Sequence, residues 1–576
     1  MWQNRFNRYE EMAFKGRLYC LFIFLFLFFI LIIFRLFYLQ IIEHSYFKLI
    51  SEENRIYSEP IKAPRGCILS REGKVFVGNR MGYSVVLSRY GFSKKIVGKL
   101  SKYLDIDEEY LLKEIELRKS QNLADILISR DIPDELMWNL SENLLNLKGV
   151  KIVKEHIRDY RHSDIAAHLF GYISEITKSE IKRKKKAGYL MGDYIGKIGL
   201  EKQYEMTLKG QGGFREIETD AYGHKLRVVN EKKARYGSDI ITTINFKLER
   251  RASALLKNKK GSIIVLDAKQ GDVLVMVSSF GYDSNQFLYN INVEKLYDFN
   301  NPNSPMLNRA IQATYPPAST FKIVTTIAAL EEKVVKVEDE FECRGGLSFG
   351  QEKRYAKCWK KEGHGYLNFL GAFKHSCDVY YYNLALKIGW DKIFKYAEML
   401  GYGVATEIDL PYEARGFLPT RAWKKKKFGV NWYNGDTVNA SIGQGFILST
   451  PLQVARMLLI LLNENKAITP FLVKGKHKKK HKKSKLKVAT KTKDFILRAM
   501  FETVNDGTGQ AAAVSGFDVC GKTGTAENPH GEDHAWFLGF APFDDPKFIV
   551  CILIENGGGG GSIAAPIAQE VFKACQ

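Results

Sequence analysis

A chain of 576 residues is too long for one ordinary hydrophobic core, since domains run to roughly 100–200 residues, and two or three domains are expected. With 45% hydrophobic and 26% charged residues it has the composition of folded protein, which excludes a wholly disordered chain. The formal net charge of +22 would suit an anionic partner, but much of the excess sits in one lysine-rich run, residues 474–493. Such a run reads first as a solvated loop, then as a contact with lipid head groups or an acidic wall polymer, and no nucleic-acid partner is expected from it.

The first element is the most informative. Residues 1–17 carry Arg5, Arg8, Lys15 and Arg17; from Leu18 to Phe34 no charge occurs, and beyond Arg35 the apolar run resumes as far as Ile42. About 20 apolar residues cross a bilayer core, and Arg35 can snorkel to the interface. No small-residue cleavage site follows, so residues 18–42 read as an uncleaved anchor rather than a signal peptide. The positive residues before it place residues 1–17 in the cytoplasm and everything after residue 43 outside.

Residues 43–236 mix short alternating strands, such as 83–87, with charged helical stretches and another basic run at 182–186. They hold no dense catalytic constellation and read as a pedestal. From residue 237 to residue 576 the pattern changes. Segment 240–244 predicts a strand, 247–256 an amphipathic helix, and 262–267 and 273–277 a hairpin; 535–540 and 548–554 predict two more strands and 565–574 a closing helix. Strands at both ends with helices between imply an α/β (α+β) sandwich, a sheet flanked by helices and assembled from distant parts of the chain.

Serine becomes a nucleophile when a neighbouring base takes its proton, and a lysine can do so if burial lowers its own proton affinity. A helical Ser-x-x-Lys puts both side chains on one face. The pattern occurs four times, at Ser45/Lys48, Ser179/Lys182, Ser319/Lys322 and Ser484/Lys487. Only Ser319 and Lys322 open an apolar helix, predicted over 321–330 after Pro316-Pro317. A second element, Ser376-Cys377-Asp378, offers a hydroxyl and a carboxylate ahead of a helix predicted from Val379. The third, Lys522-Thr523-Gly524-Thr525, lies in a strand-like stretch where glycine allows close backbone approach. Ser141-Glu142-Asn143 mimics the second element but precedes the nucleophile. The trio in this order is the pattern of the serine enzymes that β-lactams acylate.

Among eight cysteines, Cys20 lies in the anchor, Cys67 stands alone, and Cys520, Cys551 and Cys575 fall in or near apolar segments. Cys343, Cys358, His364 and Cys377 form a Cys-x14-Cys-x5-His-x12-Cys series. Three thiolates and an imidazole can close a tetrahedral zinc site; one disulfide with a stray thiol, or reduced core cysteines, are the alternatives.

Together these residues resemble the class B penicillin-binding proteins over nearly the whole chain. Arg65-Gly66-Cys67-Ile68, Gly196-Lys197-Ile198-Gly199-Leu200-Glu201, Asn308-Arg309-Ala310, Gly443-Gln444-Gly445 and His534-Ala535-Trp536-Phe537 are similar to segments of that family, and Ala318 stands where it usually has glycine. The resemblance implies that Ser319 attacks the penultimate D-Ala carbonyl of a peptidoglycan stem peptide, with Lys322 as general base and Ser376, in the same element as Asp378, as proton relay. Lys522, Thr523 and Thr525 would hold the terminal carboxylate, with Gly524 between them, and the Ser319 and Thr525 N–H groups would form the oxyanion hole. A second stem's amine would complete the cross-link, and β-lactams would acylate the same serine. Ser-x-Asp is similar to the elongation-type protein 2, Ser-x-Asn to the division-type protein 3, and residues 525–576 leave no room for a further module.

For that type the resemblance further implies a single-pass protein of the bacterial inner membrane, with the catalytic domain in the periplasm and a RodA-type SEDS glycosyltransferase and other elongation proteins as partners. It also implies a structural zinc on Cys343, Cys358, His364 and Cys377; the chemistry itself needs no cofactor. Competing readings are a D,D-carboxypeptidase, which differs only in the acyl acceptor, and a scaffold that activates the glycosyltransferase. A class A β-lactamase is disfavoured, because no Glu-x-x-Leu-Asn lies between Asp378 and Lys522. A β-lactam sensor would need more spans.

Overall fold

The computed structural model describes residues 2–48, 56–88, 93–119, 125–184, 188–189, 192–219, 225–288, 304–350, 354–463, 466–475, 482–483 and 487–576. The chain divides into two compact units, Met1–Ala63 with Gly210–Tyr236, and Pro64–Lys209 with Gly237–Gln576. The stretch read as a pedestal is thereby shared between them.

The first unit begins with a helix, Trp2–Phe37, that runs into a wider turn at Tyr38–Ile42. Its apolar part, Phe14–Ile42, is 29 residues long and none of it is buried. At about 1.5 Å per residue that exceeds the ~30 Å of a bilayer core, which fits a single-pass membrane anchor. Strands Ile56–Ile61, Gly213–Thr219 and Lys225–Lys232 complete the unit as an antiparallel sheet.

In the second unit a long strand, Val75–Ser88, pairs antiparallel with Asp125–Ile132 and Val150–Tyr160. Helices Lys94–Leu104, Glu108–Lys119 and Asp134–Asn143 cover the sheet through Val97, Leu100, Leu111, Ile115, Met137 and Leu140. Ile68–Leu69 extends this sheet by parallel pairing with Ile240–Ile241. The two pedestal signatures meet beneath it. Arg65 donates to Glu201 at 2.6 Å and Glu205 at 2.8 Å, and buried Arg158 donates to Glu201 at 2.7 Å. Burial alone would raise Glu201, but the charges of Arg158 and Arg65 outweigh it and hold the carboxyl below its ordinary range.

The C-terminal part is built on five strands, β1 (Gly261–Asp267), β2 (Val273–Ser278), β3 (Cys520–Ala526), β4 (His534–Ala541) and β5 (Phe548–Ile554). They lie in the order β2-β1-β5-β4-β3, every neighbour antiparallel, so the sheet is indeed closed by segments from both ends of the region. Alternate residues serve opposite faces. Ile263, Phe537, Val550 and Ile552 pack with Phe572 of helix Ala565–Cys575, whereas Ile264, Leu538, Cys551 and Leu553 share a core with Ile323 and Val324 of helix Lys322–Glu331. Burial on both faces explains why these strands read as unbroken apolar runs.

Candidate active site

β3 is an edge strand among the described residues, so one row of its backbone N–H and C=O groups is left for an extended peptide to pair with. Gly524 is placed against the nucleophile segment. A Cβ there would stand 3.4 Å from both Ala318 Cβ and Thr320 Cγ2, which brackets Ser319.

Ser319 occupies a tight turn, Ala318–Phe321, that feeds helix Lys322–Glu331. Ala318 is fully buried with φ of +51°, a left-handed conformation that costs an alanine about 1 kcal/mol. That is the physical reason a glycine suits the position. The conformation is imposed by Gly443, whose carbonyl accepts from Ala318 N at 3.0 Å and whose own Cβ, if it had one, would stand 2.2 Å from Ala318 O. The Gly443-Gln444-Gly445 segment is therefore the back wall of the nucleophile turn, and Gln444 Nε2 reaches Thr525 O at 3.4 Å.

Lys322 is completely buried, and its Nζ donates to Ser376 O at 2.8 Å, Ser376 Oγ at 3.1 Å and Asp378 Oδ1 at 2.7 Å. The first two elements read from sequence thus converge on one amine. Ser376 itself is left-handed, with φ of +54°. Trp359, which the sequence reading did not single out, braces the same loop: its indole Nε1 donates to Ser376 O at 3.1 Å and His375 O at 3.2 Å, and its backbone N–H to Asp378 Oδ2 at 3.0 Å. Its place directly after Cys358 was the available signal.

Lys522 is also fully buried and donates to Thr523 O at 3.1 Å. Burial first, and then the charge of Lys322, push its ammonium well below the ordinary lysine range, with Asp378 pulling the other way. The third element therefore faces the same centre as the first two. Its threonines differ: Thr523 is buried and Thr525 exposed.

The remaining matches are elsewhere. Ser179 and Lys182 are exposed on a short helix, Ser141 donates into its own helix at Met137 O, and Ser484 lies outside the described residues, as do parts of both basic runs. Arg309 is buried and structural, donating to Glu555 at 2.9 Å, where the Tyr315 hydroxyl also donates.

Two small hairpins bring the cysteine series together. Phe341–Cys343 pairs with Gly365–Leu367, and Gly346–Phe349 with Arg354–Lys357. Cys343, Cys358, His364 and Cys377 then place their donor atoms within 4.8 Å of one another, and none of the cysteines is in a disulfide. His364 Nδ1 lies 3.5 Å from Cys343 Sγ and 3.6 Å from Cys358 Sγ. A tetrahedral centre with zinc–sulfur and zinc–nitrogen bonds of about 2.3 and 2.0 Å separates such donors by about 3.5 Å, so the set fits zinc. The hydrogen bond between Cys358 and Cys377 holds the Cys358 thiol down and pushes the Cys377 thiol up.

Residues 261–573 match the Penicillin binding protein transpeptidase domain family and residues 60–242 the Penicillin-binding Protein dimerisation domain family. The chain is similar to the peptidoglycan D,D-transpeptidase MrdA of Haemophilus influenzae, at 33% identity over 93% of this chain and 87% of that protein. Among solved structures it is similar to the penicillin-binding protein PBP2 of Helicobacter pylori in complex with MreC, with a TM-score of 0.79, 28% identity and coverage of 90% of this chain and 99% of the other. It is also similar to a chain of a peptidoglycan synthase complex that coordinates polymerization and crosslinking, with a TM-score of 0.72, 29% identity and coverage of 97% and 98%.

Proposed function

The chain belongs to the penicillin-binding protein transpeptidase family, and from that premise we propose that it is the peptidoglycan D,D-transpeptidase of cell elongation, working through a Ser319 acyl-enzyme. The observation that carries this is the convergence of Lys322 Nζ on Ser376 and Asp378, one turn after Ser319 and beside the Lys522–Thr525 edge strand.

Lys322 takes the Ser319 proton as the hydroxyl attacks the donor carbonyl. Ser376, hydrogen-bonded to Lys322 Nζ, passes a proton to the departing D-Ala amine. Asp378 keeps Lys322 aimed, and the Ser319 and Thr525 N–H groups stabilise the developing oxyanion, each such donor being worth about 3–4 kcal/mol. Lys522 and the two strand threonines bind the terminal carboxylate. Without that anion the buried Lys522 disfavours its charge, so the carboxylate supplies the partner its ammonium lacks. An amine from a second stem then releases the acyl group, and β-lactams stop at the acyl-enzyme.

Cys343, Cys358, His364 and Cys377 hold a structural zinc. When bound it ties the two hairpins to Cys377, the residue between Ser376 and Asp378, and so fixes the loop that faces Lys322. The anchor lies in the bacterial inner membrane with residues 1–17 in the cytoplasm and the catalytic domain in the periplasm. The partners are a RodA-type glycosyltransferase and elongation proteins; the similarity to PBP2 bound to MreC and to a synthase complex supports that assignment.

The test uses the detergent-solubilised full chain and a fluorescent penicillin. Persistent labelling that disappears in Ser319→Ala is expected, and labelling that survives the substitution refutes the reading. Metal analysis of the same sample should find one zinc per chain, lost in Cys358→Ser.

A further inference from the structure

Lys322 Nζ has a neighbour beyond Ser376 and Asp378. It lies over the ring of Tyr381, 5.1 Å from the centroid, and Tyr381 stands on helix Asp378–Ile388, directly after the relay loop. Both side chains are completely buried, so water hydrates neither. Within about 6 Å of a ring centroid a cation is drawn to the π face, and the attraction is largest where water is excluded.

The ring is fixed in place by the same helix that carries the lysine. Thr326, one turn after Lys322, donates its hydroxyl to Lys322 O at 2.7 Å, and the Tyr381 hydroxyl lies 2.8 Å from Thr326 Oγ1. The single Thr326 proton is spent on that carbonyl, so Tyr381 donates to Thr326 and both hydroxyl protons are satisfied. The phenol is thereby tied, through one side chain, to the backbone of the residue whose head group its ring faces. The rings of Phe369 and Tyr380 flank it, each with its centroid at 6.3 Å.

The charges around Lys322 show what such a ring can add. Asp378 Oδ1, at 2.7 Å, favours a cation at Nζ, whereas Lys522 is close enough for the two ammonium charges to oppose each other. As Ser319 Oγ bonds to the donor carbonyl carbon, its proton passes to Lys322 and the neutral amine becomes an ammonium. A π face attracts the ammonium and has no comparable attraction for the amine, so its effect grows as the proton arrives. We propose that Tyr381 is a positioning residue for the general base, whose ring holds the Lys322 head group and stabilises the positive charge it acquires during acylation. It rests on the reading of Lys322 as that base.

The experiment replaces Tyr381 in the detergent-solubilised full chain by Phe and by mono-, di- and trifluorophenylalanine, which keep the shape of the ring while withdrawing its π electrons step by step. Acylation by benzylpenicillin is resolved into non-covalent affinity and maximal acylation rate. Tyr381→Phe keeps the ring and should stay within about threefold of wild type. The maximal rate should then fall with each added fluorine, on the order of tenfold across the series, while non-covalent affinity and thermal midpoint stay at the Phe value. A ring that only fills space gives the same rate in all four variants, and that result overturns the proposal. A fall confined to non-covalent affinity overturns it as well, and so does loss of the rate in Tyr381→Phe itself, which would assign the effect to the hydroxyl. Lys322→Ala is the separate arm: acylation at the wild-type rate there removes Lys322 from the role of base, whatever the ring series gives.

Discussion

Glu249 lies on helix Phe246–Leu255, fully buried against β2, where Oε2 accepts from Met276 N at 2.9 Å and Oε1 has no partner among the described residues. Burial pushes its carboxyl up to about 8 from an ordinary 4.5, with the Met276 hydrogen bond acting against the shift. The folded value is raised, so the folded state favours the protonated form. Its contribution to stability is full below pH 4.5 and is lost as pH rises towards about 8. At pH 7 the loss is about 3 kcal/mol, from ~1.4 kcal/mol for each pH unit above 4.5, and above pH 8 it levels off near 5 kcal/mol. Glu249→Gln keeps a carbonyl for Met276 N and cannot ionise. Its thermal midpoint, followed by intrinsic fluorescence on the solubilised full chain, should equal wild type at pH 5 and exceed it by several degrees at pH 7–8.5. A difference between the two proteins that stays constant from pH 5 to 8.5 would refute the argument.

Two further outcomes follow from named contacts. Glu201→Ala leaves buried Arg158 without its carboxylate partner and should destabilise the fold by about 3–5 kcal/mol, measured by denaturant unfolding, whereas Arg158→Met with Glu201→Met should recover much of that; a single-variant cost within ~1 kcal/mol would contradict it. Trp359→Phe keeps a ring but removes the donor to Ser376 O and His375 O, and should slow penicillin acylation several-fold for a loss of about 1 kcal/mol, read by stopped-flow labelling; an unchanged rate would show that the indole does not hold the loop.

How far the sequence could be read depended on whether a signal was local. Phe548–Ile554 is legible because burial on both faces demands an unbroken apolar run. Segment 240–244 reads equally well as a strand, yet only Ile240–Ile241 forms one, with Thr242 adding a single bridge to Val473. Thr243 instead donates its hydroxyl to Val273 O at 2.7 Å, and Asn245 already caps the next helix through Leu248 N. Ser319, Lys322 and Lys522 are legible as residue types at set spacings. Trp359 is not, because what gives it a role is a hydrogen bond to Ser376, a partner that chain spacing does not specify.

The same distinction explains where the strain sits. Ala318, beside the proposed nucleophile, and Ser376, in the Ser-x-Asp element, both adopt the left-handed conformation that non-glycine residues avoid. Only Ala318 is held there by a distant segment; Ser376 closes helix Phe369–Lys374 locally, its N–H donating to Phe373 O at 3.1 Å and the Cys377 N–H to Ala372 O at 2.9 Å. Ala318 is held by Gly443, adjacent in space though distant in sequence, and the Ser376 carbonyl also accepts from Lys322 Nζ and the Trp359 indole. The Ser319 turn therefore takes its shape only once the Gly443 segment has packed against it, whereas the Ser376 turn is set by its own helix. One of these clamps, Lys322 Nζ, is also a group of the proposed chemistry. Lys322 is the base in the proposed mechanism and also a donor to Ser376 O and Oγ, so a substitution that removes its amine, such as Lys322→Ala, should lose both proton transfer and those two contacts. Trp359, which braces without reacting, offers the cleaner separation of geometry from catalysis.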